Sequence, residues 1–340
     1  MRTKFNGQSR GPCVPAAHQS SARAAMLLLA VGAALGLAAP AAHATLLVDE
    51  SFNYPALANG ANMNGVAASG VGLSGNYAAV NDSTKKPAGI FAYQTAGLSL
   101  GNLAVSGGGV AYQGSGAYET GSLSVPFSAS TSSSTLYGSY LFQLSEVGGN
   151  DAAGALMGPS GGMDTNSRVE PLAQAYGSGN GAVGLNGKNI YSGLSGSPLS
   201  PGTTYINLFQ VSGVGATSGT ASLSEWILNS AQYNYFAGAG KLIASALSTA
   251  ATGTGSSDVT ESGSISGTLT GNYPSLASNL IFWGYSGNNA SNTQTFADYR
   301  LSDSSLAQAA PVAVPEPGTL PMGIGMLAGG LLLLKCRKTV

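Results

Sequence analysis

The sequence predicts an all-β chain: a two-sheet antiparallel β-sandwich, flanked by an N-terminal signal peptide and a C-terminal hydrophobic helix. Three observations predict it. Strand-like segments recur through the middle of the chain, clusters of Gly, Ser, Asn and Pro separate them, and no long stretch there carries a helical period. Strands without interleaved helices pack as sheet on sheet.

The elements follow in chain order. Arg2, Lys4, Arg10 and Arg23 form a basic leader, and Ala24 to Ala39 is an apolar run of the length of a signal h-region. After Pro40, the small residues Ala42 and Ala44 flank His43 as an A-x-A site, so signal peptidase is expected to release a chain beginning at Thr45. A retained anchor is the other reading of this run, and initiation at Met26 would remove its charges.

The expected sandwich covers residues 45–306. Its best strand is LYGSYLFQL, Leu136 to Leu144, in which Leu136, Tyr140, Phe142 and Leu144 share a core face while Tyr137, Ser139 and Gln143 point to a wetter one. Further strands are expected at Leu46–Phe52, Gly89–Tyr93, Val110–Tyr112, Thr203–Val211, Ser222–Leu228, Ser264–Leu269, Leu280–Tyr285 and Thr295–Leu301. The continuous apolar run Leu280 to Trp283 predicts a strand buried on both faces. A solenoid would need a fixed repeat period, and none is present.

Residues 307–319 read as a linker, 320–334 as a membrane helix and 335–340 as a basic cytoplasmic tail. Val314, Pro315, Glu316 and Pro317 precede the apolar run, and Lys335, Arg337 and Lys338 follow it. Prolines keep the stem non-helical, and the cations hold the tail on the cytoplasmic side, leaving the body outside. The run of about 15 residues is short for a span and is weakened by Gly323, Gly325, Gly329 and Gly330, which suits a transient anchor in the inner membrane.

Charge narrows the function. Only 8% of residues are charged, against about 25% in ordinary soluble domains. Between Thr45 and Val314 six basic residues stand against thirteen acidic ones, a formal charge of −7. Nucleic acid is an unsuitable partner, since it requires clustered Lys and Arg. Both histidines (His18, His43) and both cysteines (Cys13, Cys336) lie outside this region. That removes Ser-His-Asp and Cys-His catalysis, His/Cys metal sites and disulfides from the body. No metal ligand set is predicted and no cofactor is expected; calcium alone stays open, because it needs only oxygen ligands. Asp151, Asp164 and Asn166 lie in a Gly-rich stretch without the spacing of a calcium loop.

A glycoside hydrolase requires two carboxylates about 5 to 9.5 Å apart across a cleft. No closely spaced acids occur on one strand face. Glu225, beside Trp226, is the only acid inside an apolar strand; it reads either as a raised-pKa acid or as a residue facing solvent from the outer sheet. The body is therefore expected not to be an enzyme, and no catalytic residue is assigned. Tyr285, Asn288, Asn289 and Asn292 follow the LIFW strand in an Asn- and Gly-rich loop, where an aromatic face and amide donors suit a glycan; turn-forming preference alone would also place Asn and Gly there. Trp226, Tyr233, Tyr235 and Phe236 read as core or sheet edge.

Two resemblances refine this reading. Val314 to Lys338, with Pro-Glu-Pro, apolar helix and basic end in that order, resembles the PEP-CTERM sorting signal of Gram-negative bacteria; Pro321 and Cys336 depart modestly from its pattern. The resemblance implies an exosortase-type membrane peptidase as partner. It also implies an anchored precursor that passes to the cell surface or an exopolysaccharide matrix. DESFNYP (Asp49 to Pro55), LYGSYLFQL and TFADYRLSD (Thr295 to Asp303) resemble opening, central and closing strands of concanavalin A-like or LamG-like jelly rolls, although Ala297 stands where that family carries an acid. Together they imply an adhesive, glycan-binding protein. A purely structural matrix protein is the alternative reading, and a glycoside hydrolase or lyase a third.

Overall fold

The computed structural model describes residues 46–81, 89–101, 103, 107–114, 119–129, 131, 133–146, 152–158, 169–174, 181–185, 191–213, 218–250, 253, 255–270, 279–287 and 291–311. The expected signal peptide and the expected Pro-Glu-Pro stem, membrane helix and basic tail lie outside them. Two antiparallel sheets face each other. The first holds β1 (Val48–Glu50), β3 (Ile90–Gln94), β4 (Gly109–Gln113), β6 (Thr135–Leu144), β11 (Ser195–Gly196), β12 (Thr204–Ser212), β13 (Ser218–Leu228), β14 (Glu261–Thr270) and β16 (Thr293–Ser302). Its order is β11-β14-β13-β12-β6-β16-β4-β3, with β1 also paired to β16. The second, in order β10-β9-β8-β7-β15-β5-β2, holds β2 (Ala78–Asn81), β5 (Thr120–Pro126), β7 (Ala152–Gly158), β8 (Val169–Gln174), β9 (Ala182–Leu185), β10 (Tyr191–Gly193) and β15 (Asn279–Tyr285).

Alternation along the strands builds the core between the sheets. Leu136, Tyr140, Phe142 and Leu144 of β6 point inward, joined by Tyr205, Phe209 and Val211 of β12 and met from the other sheet by Leu280 and Phe282. Gly138 pairs with Phe209, and a Cβ at Gly138 would overlap that ring, so the glycine is what lets the aromatic lie across β6. Between Ala297 and Arg300 a β-bulge shifts the phase of β16, so that Phe296, Tyr299 and Leu301 all point inward. Asp298 occupies the bulge at φ 48°.

All nine expected strands are present. Those missing from the expectation belong mostly to the second sheet, where β7 (AAGALMG) is buried along its whole length and β5 (TGSLSVP) nearly so. Small residues suit positions opposite the aromatic layer of the first sheet, because a close-packed interior alternates large and small side chains. The expectation for the LIFW strand holds: Leu280 and Phe282 enter the inter-sheet core, while Ile281 and Trp283 pack with Ala152, Leu156 and Ala182 on the outer face.

The outer face of the first sheet corrects the reading of β6. It is covered by α1 (Ser230–Gly238), α2 (Ala244–Thr249) and α3 (Leu306–Ala309), and Leu141, Ile206, Leu208, Trp226 and Leu228 are buried beneath this layer. Ser139, expected on a wetter face, is fully buried and donates its hydroxyl to the Ala309 carbonyl at 2.6 Å. Asn229 and Gln232 begin α1 with a capping box. The body continues past residue 306, since α3 and Pro311 pack onto it and the Tyr233 hydroxyl donates to the Pro311 carbonyl.

Candidate functional site

One group of polar side chains that reach solvent together comes from four strands of the first sheet. Thr204 of β12 is in register with Gln143 of β6, and Gln143 is in register with Thr295 of β16. Ala111 and Ala92 continue the row through β4 and β3. Gln94, at the end of β3, and the segment Ala96 to Ser99 complete the lining of a cleft on this row. The resulting cleft has a volume of about 320 Å³, and among the described residues that line it none is charged. Gln143 is held in place by donating to the Gly202 carbonyl at 2.7 Å and lies 3.4 Å from the Thr204 hydroxyl.

The chemistry of this lining is that of neutral, two-way hydrogen bonding. Amides and hydroxyls both donate and accept, which matches the alternating donors and acceptors of a polyol. None of the described residues that line the cleft titrates near neutral pH.

The loop singled out in the sequence is arranged differently. Tyr285 is half-buried at the end of β15 and packs on the outer-face cluster around Trp283. Asn292 is only 4% exposed, with its amide 3.5 Å from the Ser286 carbonyl. Ser286 in turn donates its backbone N–H to the Glu119 carbonyl at 2.9 Å and accepts the Glu119 N–H on its hydroxyl at 3.1 Å. Tyr285 and Asn292 thus share one loop, where the buried amide faces loop backbone. Asn288 and Asn289 lie outside the described residues. The cleft residues went unselected because Thr204 and Thr295 stand near strand starts, where polar residues are ordinary. Gln143 alone carried a signal, as the outward polar residue of β6.

Glu225 corrects the solvent-facing reading: it points into the inter-sheet core, fully buried and bonded to the Asn207 amide. Asn207 also donates to the Tyr140 hydroxyl at 2.8 Å, and Tyr140 donates to the Pro171 carbonyl of β8 at 3.0 Å. Burial and then the nearby Glu225 push the Tyr140 phenol well above its usual range. Diagonally across from Glu225, Glu261 accepts the Gly181 N–H at 2.7 Å; burial lifts its pKa to about 7 against the lowering effect of that bond.

Two further acids are buried. Glu50 accepts from the Phe52 N–H at 2.6 Å and from the hydroxyls of Tyr77 and Tyr54 at 2.8 and 3.2 Å, yet burial keeps its pKa above the ordinary value. Asp298 is likewise raised by burial, in opposition to Arg300, whose Nε lies 3.0 Å away. Arg300 also reaches Asp49 at 3.6 Å. Glu225, Glu261 and Glu50 each tie separate parts of the chain together, whereas Asp298 is paired within its own strand; none is among the described residues that line the cleft.

Two more depressions mark the outer face of the first sheet. Ser224, Trp226, Ser248, Ser262 and Ser264 line a niche of about 150 Å³, while α1 and α3 border an apolar groove of about 490 Å³. Among the described residues no group of three or more His, Cys, Asp or Glu is placed to hold a metal ion. Asp151, Asp164 and Asn166 lie outside them. No helix among the described residues is long and apolar enough to cross a membrane.

No protein-family model and no curated protein matches the chain. Among solved structures it is similar to the carbohydrate recognition domain of Emp46p, at 8% identity over 67% of this chain and 88% of that one, with a TM-score of 0.37. It is also similar to the cellulose induced protein Cip1, at 8% identity over 70% and 94% with a TM-score of 0.38. A third similarity is to the marine PL-14 alginate lyase from Aplysia kurodai, at 8% identity over 58% and 83% with a TM-score of 0.36.

Proposed function

We propose that this chain is an exported surface or matrix protein whose β-sandwich binds a neutral polysaccharide without cleaving it. One observation carries the binding reading: the in-register row Thr204, Gln143 and Thr295 opens on a cleft of about 320 Å³ whose polar lining, among the described residues, consists of amides and hydroxyls without charge. The net charge of −7 between Thr45 and Val314 disfavours acidic glycans, so an uncharged polymer is the better match.

The address rests on the two ends. Cleavage between Ala44 and Thr45 and recognition of Val314 to Pro317 by an exosortase-type peptidase would carry the body from an inner-membrane precursor to the surface or matrix. Lys335, Arg337 and Lys338 would remain cytoplasmic until release.

Affinity electrophoresis of the full chain through gels containing neutral or acidic polysaccharide tests the binding. Retardation by the neutral polymer, lost in a Gln143→Ala/Thr295→Ala double variant, is the expected result. Equal mobility in every gel removes the glycan reading and leaves a structural matrix role. Release of reducing sugars from the polymer would replace binding by hydrolysis.

A further inference from the structure

The chain treats the two edges of its first sheet differently. Along β3 the segment 60–63 forms a cover: the Gly60 and Met63 N–H groups donate to the Tyr93 and Phe91 carbonyls at 2.7 and 2.9 Å, and the Tyr93 N–H donates to the Ala61 carbonyl at 2.8 Å. Along β14, β13 holds one side from Glu261 to Thr270, whereas β11 on the other side reaches only Glu261 and Ser262. No further strand among the described residues pairs with β14. Ser264 and Ser266 are exposed, and a Cβ at Gly267 would meet nothing within 4 Å. The Ser197 N–H donates to the Thr260 carbonyl at 2.9 Å, which sets the phase of this edge. Alternating from Thr260, the backbone N–H and C=O groups of Ser262, Ser264 and Ser266 turn to the β11 side. Edges left in this state commonly carry a charge or a proline against further pairing, yet residues 262–270 contain neither.

The edge is also symmetric, since Gly263, Ser264, Ile265, Ser266 and Gly267 read the same in both directions. We infer that β14 pairs antiparallel with β14 of a second copy about a two-fold axis at Ile265, joining two first sheets into one. A two-fold contact brings the same patch of both copies together, so a palindromic strand meets its own complement. Ser264 and the second copy's Ser266 exchange both backbone hydrogen bonds, and the symmetry repeats the exchange. The two Ile265 side chains form the intervening non-hydrogen-bonded pair, with Cα atoms about 4.5 Å apart. Each Ile265 is half-buried against the inter-sheet core, and the pairing covers its open flank. On the outer face serine meets serine, as Ser212 and Ser222 already do within the sheet at 2.6 Å between hydroxyl oxygens. Residues 262–270 bring no charge to the seam, and charges more than about 8 Å apart are screened at physiological salt, so the acidity of the body opposes association weakly. The seam is short beside an interface of about ten hydrogen bonds, which makes the pair sensitive to concentration. Its axis is perpendicular to the joined sheet, so both Gln143 clefts open on one side and would engage one polymer together; this consequence alone rests on the glycan reading.

Sedimentation of the detergent-solubilised full chain tests the pairing. The protein mass of wild type should halve on dilution. Ser264→Pro removes an edge N–H but no bond to β13, and it should weaken association at least ~10-fold while β12 and β13 keep their hydrogen-exchange rates. Ser266→Lys, which places a charge at the seam and leaves the backbone unaltered, should do the same. In a Cys13→Ser/Cys336→Ser background, mild oxidation should join two Ile265→Cys chains by a disulfide, because the paired Cα atoms lie within its reach. Thr220→Cys, one strand in from the seam, should stay unlinked. Wild type that is monomeric at every concentration overturns the inference. So does association that Ser264→Pro and Ser266→Lys leave unchanged, which assigns it to another surface. Equal crosslinking of the Ile265→Cys and Thr220→Cys chains overturns it as well.

Discussion

The Glu261 carboxylate on β14 accepts the Gly181 amide hydrogen at 2.7 Å, tying the inner face of the first sheet to the entry of β9 in the second. Its other oxygen finds no hydrogen-bond partner among the described residues. A fully buried acid in this position favours the protonated form, which donates as well as accepts.

The pH dependence of stability follows from that shift. The folded pKa of about 7 lies above the ordinary carboxylate value of 4.5, so the folded state holds the proton more tightly. The contribution is complete below pH 4.5 and is lost as pH rises to about 7; it is on the order of 3 kcal/mol for this group. Glu50 and Asp298, also raised, act in the same direction. Urea midpoints measured from pH 4.5 to 8 should fall with pH in wild type and fall less in Glu261→Gln. An identical slope in both chains contradicts the assignment.

Gly138→Ala should destabilise the sandwich by about 1–3 kcal/mol through overpacking against Phe209. A Phe209→Leu partner should recover part of that loss, because the smaller side chain leaves room for the methyl group. Denaturant midpoints of the two single variants and the double variant give the coupling.

Asp298 combines a left-handed backbone with a charged partner. Asp298→Ala retains the φ of 48° and loses the Arg300 bond, whereas Asp298→Gly loses the bond but relieves the backbone. The glycine variant should be the more stable by about 1 kcal/mol. Thermal unfolding with the order reversed would show that the bulge has moved.

Thr295→Val keeps the shape of the cleft and removes one hydroxyl. Affinity for a neutral polysaccharide should fall about tenfold, or about 1.4 kcal/mol, with unfolding unchanged within about 0.5 kcal/mol. Titration calorimetry against the urea midpoint separates the two effects.

Much of the first sheet was legible in the sequence because its strands carry their own evidence. LYGSYLFQL alternates, and the partners of Leu136, Tyr140 and Phe142 differ from those of Tyr137 and Gln143 in the way that alternation implies. The strands AAGALMG and TGSLSVP carry no such signal, for their small residues acquire meaning only opposite an aromatic layer. The candidate site was hidden for a related reason. Thr204, Gln143 and Thr295 are far apart in the chain, and only antiparallel register sets them in one row.

The amino-acid order by itself determined the all-β character, the two-faced burial of Leu280 to Trp283 and the low charge of the body, because these follow from local alternation and composition. Tertiary structure alone decided that Glu225 points into the core, that helices roof the outer face of the first sheet, and which polar groups share a cleft. Those outcomes depend on which strands pair and at what register, and a one-residue slip in register would turn each side chain to the opposite face.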